Sequence, residues 1–256
     1  MKEKLLEASG VCMYFGGVHA VEEMDISLER DEILGIIGPN GSGKSTLVNV
    51  LTGIYRPVKG KIELNGQDIT GEKPHKIAAL GVARTFQNLR VFKAMTVSEN
   101  VITGEHMILK SKFVDSLLHT RRYKDSERRA RAKADELLEI VGLGKMGNSY
   151  ANSMSYGQQK RLEIARALAS DPKLCLFDEP AAGMNSAEAL EMMETIIRVQ
   201  KEQKIGVILI EHNMEVMMNT AHRIIVMDTG RKIAEGTPKE IQNNPKVIQV
   251  YLGEDD

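Results

Sequence analysis

The sequence of 256 residues lacks several features that mark particular classes of protein. It contains no tryptophan, and aromatic residues make up 4% of it, which argues against a platform that stacks nucleic-acid bases. The formal net charge of −1 gives no overall positive field, so a nucleic-acid partner is not expected. No apolar run approaches the length that spans a bilayer, and residues 1–7 lack the apolar core of a signal peptide.

Cysteine is also scarce. Cys12 and Cys175 are the two cysteines of the chain, and each lies in an apolar run that is typical of a strand. We therefore expect two small core residues in a reducing compartment rather than a disulfide. The overall composition, with 42% apolar and 27% charged residues, is ordinary for a folded protein. The length suits one large domain, or one domain with a subdomain.

The most informative segment is a glycine-rich loop. Four positions meet the G-x-x-x-x-G-K-[ST] spacing of a phosphate-binding loop, or P-loop: Gly38, Gly43, Lys44 and Ser45. An apolar run at 33–37 precedes the loop, as expected of a buried parallel strand. Apolar residues then recur at helical spacing, at Leu47, Val50 and Leu51. This order of strand, loop and helix favours nucleotide binding over a glycine-rich turn that merely joins two elements.

The P-loop predicts a nucleoside triphosphate as the ligand. Backbone N–H groups and the positive end of the following helix dipole would face the phosphates, and glycines allow a close approach. Lys44 would reach the β- and γ-phosphates, Ser45 would ligate Mg²⁺, and Thr46 would lie near the α-phosphate. The nucleotide would contact the whole loop, which comprises Gly38, Pro39, Asn40, Gly41, Ser42, Gly43, Lys44, Ser45 and Thr46.

Two carboxylates follow a second apolar run, at 174–177. This is the Walker B pattern, in which Asp178 would hold Mg²⁺, mainly through water. Glu179 is the next residue and would point away from the metal, where it can orient or deprotonate an attacking water. After a P-loop in the correct context, this pattern favours a catalytic pair over a chance Asp-Glu at the end of a strand.

Strands and helices alternate along much of the chain. The alternation predicts an α/β fold with a parallel P-loop (RecA-like) core covered by helices. Strand-like runs at 5–15 and 19–29 predict an N-terminal antiparallel β subdomain. Helical periodicity at about 90–155 predicts an inserted α-helical subdomain. The catalytic core with its β subdomain would then comprise 1–89 and 156–256 of a single domain.

A basic stretch within the insert is the best candidate for binding nucleic acid. Its cations, however, alternate with acidic residues along 123–141, and apolar residues recur on the opposite side at Ala130, Ala134 and Leu137. The pattern therefore favours a solvated helix face.

Further motifs complete the order of P-loop and Walker B. The P-loop, Gln87, the segment 155–159, Walker B and His212 follow one another in this order. This order resembles the ATP-binding-cassette (ABC) ATPases over essentially the whole chain. The resemblance implies that the ligands are ATP and Mg²⁺, and that Gln87 contacts the metal and the attacking water. His212 would sense the γ-phosphate, and Glu179 would be the catalytic base. Phe15 would stack on adenine, with Tyr14 as the alternative residue and plain strand packing as the alternative role.

The signature segment of this family usually reads Leu-Ser-Gly-Gly-Gln, whereas this chain has Met-Ser-Tyr-Gly-Gln at 154–158. The resemblance implies that Ser155, Gly157 and Gln158 of one subunit contact the ATP held by a second subunit. The partner cassette could be a second copy or a related chain. Asn185 replaces the carboxylate that the family usually has in the D-loop, the segment that follows Walker B.

Several stretches point to one branch of the family. Arg84-Thr85-Phe86-Gln87, Tyr156-Gly157-Gln158-Gln159 and Ala181-Ala182-Gly183-Met184-Asn185 are similar to the ATPase subunits of branched-chain amino-acid importers, of the LivG type. This implies integral-membrane permease subunits as partners, a solute-binding protein as an indirect partner, and a peripheral place on the cytoplasmic face of the membrane. Residues 88–100 would receive the permease, although Leu89, Val91, Phe92 and Met95 could instead be core.

Three other functions compete with amino-acid import. The nearest is the cassette of another transporter, for urea uptake or lipopolysaccharide export. A non-transport ABC ATPase usually carries a long coiled coil or two cassettes in one chain, and neither is present in this sequence. A stand-alone P-loop phosphotransferase would not need the signature segment or His212, and no acceptor site is evident.

Overall fold

The computed structural model describes residues 4–85, 89–105 and 121–252. Its strands are β1 (Lys4–Phe15), β2 (Val18–Glu29), β3 (Ile33–Ile37), β4 (Lys59–Leu64), β5 (Gln67–Asp68), β6 (Val82–Arg84), β7 (Leu174–Asp178), β8 (Gly206–Ile210), β9 (Arg223–Asp228) and β10 (Arg231–Gly236). Its helices are α1 (Lys44–Leu51), α2 (Pro74–Ala79), α3 (Val97–Glu105), α4 (Arg121–Ile140), α5 (Tyr156–Leu168), α6 (Ser186–Gln203), α7 (Met214–Met218), α8 (Pro238–Gln242) and α9 (Pro245–Leu252).

The first sheet is antiparallel and has the strand order β2-β1-β4-β5. A two-residue turn, Gly16-Gly17, joins β1 to β2, and Phe15 pairs with Val18 across it. Burial alternates along β2 at Met24, Ile26 and Leu28, as expected when one face of a sheet covers a core, whereas β1 pairs irregularly and buries the neighbours Leu5 and Leu6. The predicted N-terminal antiparallel unit is confirmed.

The second sheet has the order β10-β9-β3-β8-β7-β6. Five of these strands run parallel, as predicted, and β10 adds an antiparallel edge. A short turn makes this edge possible, because Thr229 and Gly230 between β9 and β10 both have positive φ, at 43° and 79°. Two such residues form the tight turn that suits the twist of a hairpin. The sequence pattern did not predict this strand.

Three central strands bring their carboxyl ends to one edge of the sheet. All five residues of β3, β7 and β8 are buried, as expected for parallel strands covered on both faces. Ile210 pairs with Ile36 on one side and with Asp178 on the other. The residues that follow these strands therefore meet at the edge where open α/β sheets bind ligands.

Helices α3, α4 and α5 pack against one another beside this sheet. Leu137 and Leu138 of α4 belong to the same apolar cluster as Leu162 of α5 and Phe177 of β7. The opposite side of α4 is exposed, with charged residues that include Glu127, Arg128, Arg129, Arg131 and Glu136. The predicted solvated face of this helix is confirmed.

Several smaller expectations have clear outcomes. Cys12 and Cys175 are both buried free thiols, as predicted, and burial raises the pKa of Cys175.

Val91 packs against the main apolar cluster, whereas the side chains of Phe92 and Met95 are exposed. Among the residues that the structure describes, no helix is both long and apolar enough to cross a membrane.

Candidate functional site

The P-loop leaves β3 and closes at the first turn of α1. Gly43 has a φ of 97°, a left-handed conformation that favours glycine, and a Cβ there would overlap the Ala20 carbonyl oxygen. A Cβ on Gly38 would likewise overlap the carbonyl oxygen of Met227. Both glycines are therefore required by the close approach of neighbouring backbone.

The start of α1 presents backbone donors that have no partner within the helix itself. The first hydrogen bond along the helix runs from the Leu47 N–H to the Gly43 carbonyl oxygen, at 2.9 Å. By helix geometry, the N–H groups of Lys44, Ser45 and Thr46 have no partner within α1. Together with the helix dipole, these donors favour an anion in the loop.

The ammonium group of Lys44 lies inside the loop. It donates to the carbonyl oxygens of Gly38 and Pro39, at 2.7 Å and 2.9 Å. Burial lowers the pKa of Lys44, and the negative charges of Glu179 and Asp178 partly offset this effect. The structure thus brings together the predicted lysine and both predicted carboxylates.

A hairpin supports the loop from the side. The N–H of Gly230, in the turn between β9 and β10, donates to the Ser42 carbonyl oxygen at 3.0 Å. The Gly230 carbonyl in turn accepts from the Glu22 N–H at 2.8 Å. The antiparallel edge strand that the sequence did not predict therefore helps to hold the P-loop in place.

Asp178 ends β7 and forms a nearly buried ion pair. Arg84 Nη2 lies 2.8 Å from Asp178 Oδ2, and the two side chains are 11% and 8% exposed. Arg84 Nη1 also donates to Asn49 Oδ1 on α1, at 2.7 Å. In the sequence, Arg84 was significant only as part of the Arg84-Thr85-Phe86-Gln87 family resemblance. A cation beside an apolar run is the signal that could have marked it as a partner for a buried carboxylate.

Glu179 follows Asp178 in a backbone conformation that is uncommon for glutamate. Its φ is 49°, and its N–H donates to the Ile210 carbonyl oxygen at 3.0 Å. This bond attaches the residue after β7 to the end of β8. Non-glycine residues with positive φ cost some conformational energy, and such strain is concentrated at functional sites.

His212 stands beside a carboxylate that sequence reasoning missed. The His212 side chain is 60% exposed, and its Nδ1 lies 3.9 Å from Oε2 of the buried Glu211. Burial raises the pKa of Glu211, and the charge of nearby Glu179 raises it further. The available signal was positional, because Glu211 follows β8 as Glu179 follows β7.

The two candidates for stacking on adenine differ in their surroundings. Tyr14 already stacks on His19, with ring centroids 4.2 Å apart, and its hydroxyl donates to Glu22 Oε1 at 3.1 Å. Phe15 is 43% exposed and meets Tyr55 edge-on at 5.2 Å. An exposed ring face is what a purine would need, so this arrangement favours Phe15 over Tyr14.

The signature segment begins α5. Ser155 is its N-cap and forms a capping box with Gln158, in which Ser155 N–H donates to Gln158 Oε1 at 2.9 Å. A Cβ on Gly157 would lie 3.9 Å from Met184 Cε, so the segment adjoins the D-loop of the same chain. Within the described residues, the polar contacts of the Ser155 side chain stay in its own helix and do not reach Lys44.

Comparison with known proteins decides the family. Residues 21–182 match a family model described as ABC transporter. The chain belongs to this family. Residues 231–256 of the cassette also match a model described as branched-chain amino acid ATP-binding cassette transporter.

Full-length relatives support the same assignment. BraF of Pseudomonas aeruginosa, a high-affinity branched-chain amino acid transport ATP-binding protein, is 43% identical over 254 residues, which cover 99% of this cassette and 100% of BraF. LivG of Escherichia coli K12, described in the same words, is 42% identical over the same shares. The ADP conformation of an ABC transporter cassette superimposes with a TM-score of 0.85 at 33% identity, covering 98% of this chain and 99% of that one.

The residues of the cassette fit a nucleotide and its metal. The buried ammonium of Lys44 and the N–H groups at the start of α1 suit phosphate oxygens. Ser45 is exposed at the same helix end, and Asp178 supplies the oxygen that Mg²⁺ prefers. Gln87, the third predicted metal contact, lies outside the described residues.

Proposed function

We propose that this cassette hydrolyses ATP to power the import of branched-chain amino acids through a separate permease. The supporting observation is the meeting of Lys44, Asp178 and Glu179 at one sheet edge, in a chain that aligns end to end with subunits of such importers. Every family member named above is a transporter cassette, so the activity is ATP hydrolysis coupled to transport.

The residues of the P-loop would bind and orient ATP. Backbone N–H groups of residues 38–46 and the Lys44 ammonium would hold the phosphates, with Phe15 against adenine. Ser45, Asp178 and Gln87 would hold Mg²⁺, which neutralises charge on the phosphate oxygens when bound.

Glu179 would act as the general base. As a water oxygen bonds to the γ-phosphorus and the bond to the ADP oxygen breaks, a water proton passes to the Glu179 carboxylate. His212, exposed at the end of the neighbouring strand, would donate a hydrogen bond to the γ-phosphate. ADP and inorganic phosphate are the products.

A second cassette would complete the site. Ser155, Gly157 and Gln158 lie at an exposed helix start, where a hydroxyl and backbone N–H groups can meet a γ-phosphate from another subunit. The partner is another copy of this chain or a related cassette. Such pairing makes ATP a reversible link between two subunits, which is the behaviour of a switch.

The permease would dock in a groove between the sheet and the helices. The groove has a volume of about 610 Å³, and its walls include Val82, Val91, Phe92, Gly104 and Arg166. Phe92 lines this groove, and both Phe92 and Met95, which the sequence left undecided between core and docking, are exposed, which favours docking. We place the cassette on the cytoplasmic face of the membrane, with a solute-binding protein as an indirect partner on the permease.

Two variants test the chemistry. Glu179→Gln should bind ATP normally but hydrolyse it very slowly, because an amide cannot accept the proton. Lys44→Ala should weaken ATP binding by several kcal/mol, the scale of one or two lost charge-assisted hydrogen bonds. Binding is measured by titration with a fluorescent ATP analogue and turnover by phosphate release. If Glu179→Gln hydrolyses ATP at the normal rate, Glu179 is not the general base. If Lys44→Ala binds ATP with unchanged affinity, the P-loop is not the ATP-binding site.

Identification of the transported solute requires the whole transport complex. Co-purified permease and binding protein, reconstituted in vesicles, should show ATP-driven uptake of leucine, isoleucine and valine. Urea is the comparison solute, because a urea cassette is the nearest competing function. Uptake of urea alone would replace the amino-acid assignment and leave the ATPase intact.

A further inference from the structure

A buried carboxylate beneath the site has no part in the mechanism above. Glu211 is 1% exposed, and its Oε1 accepts a hydrogen bond from the Ala181 backbone N–H at 2.8 Å. Burial and the charge of Glu179 both raise the pKa of Glu211, whereas the N–H of Ala181 lowers it. A carboxylate in these surroundings is costly to bury, so the contact that it makes is informative.

The contact holds a segment that carries the proposed base. Residues 179–185 fold into two successive turns, from the Ala182 N–H to the Glu179 carbonyl and from the Met184 N–H to the Ala181 carbonyl, each at 3.1 Å. Asn185 then caps α6. Neither turn uses the N–H of Ala181, which is satisfied by the Glu211 carboxylate instead.

The second carboxylate oxygen of Glu211 lies near His212. Glu211 Oε2 lies 3.9 Å from His212 Nδ1, and Asn213 Oδ1 accepts from the Val216 N–H to cap α7. One buried side chain therefore joins the segment after β7 to the segment after β8. The base and the phosphate sensor lie on these two segments.

We propose that Glu211 is a positioning residue that fixes the segment 179–185, and with it Glu179, against the strand end that carries His212. The inference rests on the proposed ATPase function. Because Glu211 acts by accepting a hydrogen bond from a backbone N–H, its oxygen matters and its charge does not. A glutamine amide oxygen can replace it, and an alanine methyl group cannot.

Kinetics of the purified full-length chain test this proposal. Glu211→Ala should lower kcat for ATP hydrolysis about tenfold or more, since small misplacement of a catalytic group is costly. KM should change less than about threefold, because the ATP contacts lie in the P-loop. Glu211→Gln should keep kcat within about threefold of wild type. Exposed Glu215, four residues further on, provides the control variant Glu215→Ala, which should retain wild-type kinetics.

Hydrogen exchange at the Ala181 amide gives a readout that does not depend on activity. In the nucleotide-free chain, exchange should accelerate about tenfold or more in Glu211→Ala and stay slow in Glu211→Gln. The proposal is overturned by unchanged protection in Glu211→Ala, or by a Glu211→Gln variant as slow in turnover as Glu211→Ala. If the wild-type chain hydrolyses no ATP, the proposed function fails, and the exchange experiment still decides whether Glu211 holds the segment.

Discussion

At the scale of the residue, Arg84 connects three elements through one guanidinium group. It extends from the edge strand β6, forms an ion pair with Asp178 at the end of β7, and donates to Asn49 on α1. The Asp178 carboxylate, which we assign to Mg²⁺, is thereby paired with the Arg84 guanidinium. Arg84 also lines the groove that we assign to the permease, so the two regions share a wall.

Removal of this cation should destabilise the fold. Arg84→Met keeps most of the side-chain volume but leaves the Asp178 carboxylate buried beside an apolar chain. We expect the free energy of unfolding to fall by about 3 kcal/mol, the typical cost of breaking a buried pair by removing one partner. The measurement is equilibrium denaturation with urea.

Two further variants make the test specific. Arg198 is exposed on α6, so Arg198→Met should change stability by less than about 0.5 kcal/mol. The double variant Arg84→Met, Asp178→Asn should lose less than the sum of the two single losses, because it removes both charges. Equal denaturation midpoints for wild type and Arg84→Met would contradict the account of the ion pair.

Among the elements, two helix starts explain why this chain tolerates Asn185 and Tyr156 where the family motifs usually have other residues. Asn185 is the N-cap of α6, and an amide oxygen caps a helix as well as the usual carboxylate. Tyr156 replaces a glycine at the first position of α5, where its side chain is 45% exposed. A helical backbone with open space around it does not require glycine.

Substitutions of Asn185 should change stability according to whether the new side chain can still cap α6. Asn185→Ala removes the oxygen that accepts from the Glu188 N–H at 3.0 Å, so stability should fall by about 1 kcal/mol. Asn185→Asp keeps an acceptor and should stay within about 0.5 kcal/mol of wild type. Thermal or chemical denaturation distinguishes the two variants. A loss of the same size in both would show that something other than the cap decides stability there.

At the scale of the whole molecule, the parts of the site fall into two groups. Lys44, Asp178 and Glu179 meet at one edge of the mixed sheet, whereas the side chain of Ser155 makes its polar contacts within α5. If both groups act on one nucleotide, as proposed above, two chains must combine to form the site. The exposed start of α5 is available for such a contact.

ATP should therefore control subunit association. In the slowly hydrolysing Glu179→Gln variant, ATP with Mg²⁺ should double the molar mass of the cassette, as measured by light scattering, and ADP should not. Adding Ser155→Ala to that variant should weaken the association, because it removes the hydroxyl that we propose to contact the partner's ATP. A complex that forms only with a second, related cassette would identify a heterodimer. No association in either arrangement would refute the shared site.

Much of this architecture was accessible from the sequence because local patterns dictate it. Apolar runs predicted β3 and β7, and helical periodicity predicted α4. Strand β10 was missed, because its residues are only partly buried and lack a strong apolar pattern. Arg84 and Glu211 were missed as contacts because their partners are distant in the chain, at Asp178 and Ala181.

The sequence by itself determined the chemical class of the ligand and the family. A P-loop requires its glycines, lysine and serine at fixed spacing, so a short segment is sufficient evidence. The tertiary structure was needed to show which charges lie together, which hydroxyls and rings are exposed, and that Glu211 accepts a hydrogen bond from Ala181. These properties depend on parallel strands that end at one edge, and strand pairing joins residues that the sequence separates widely.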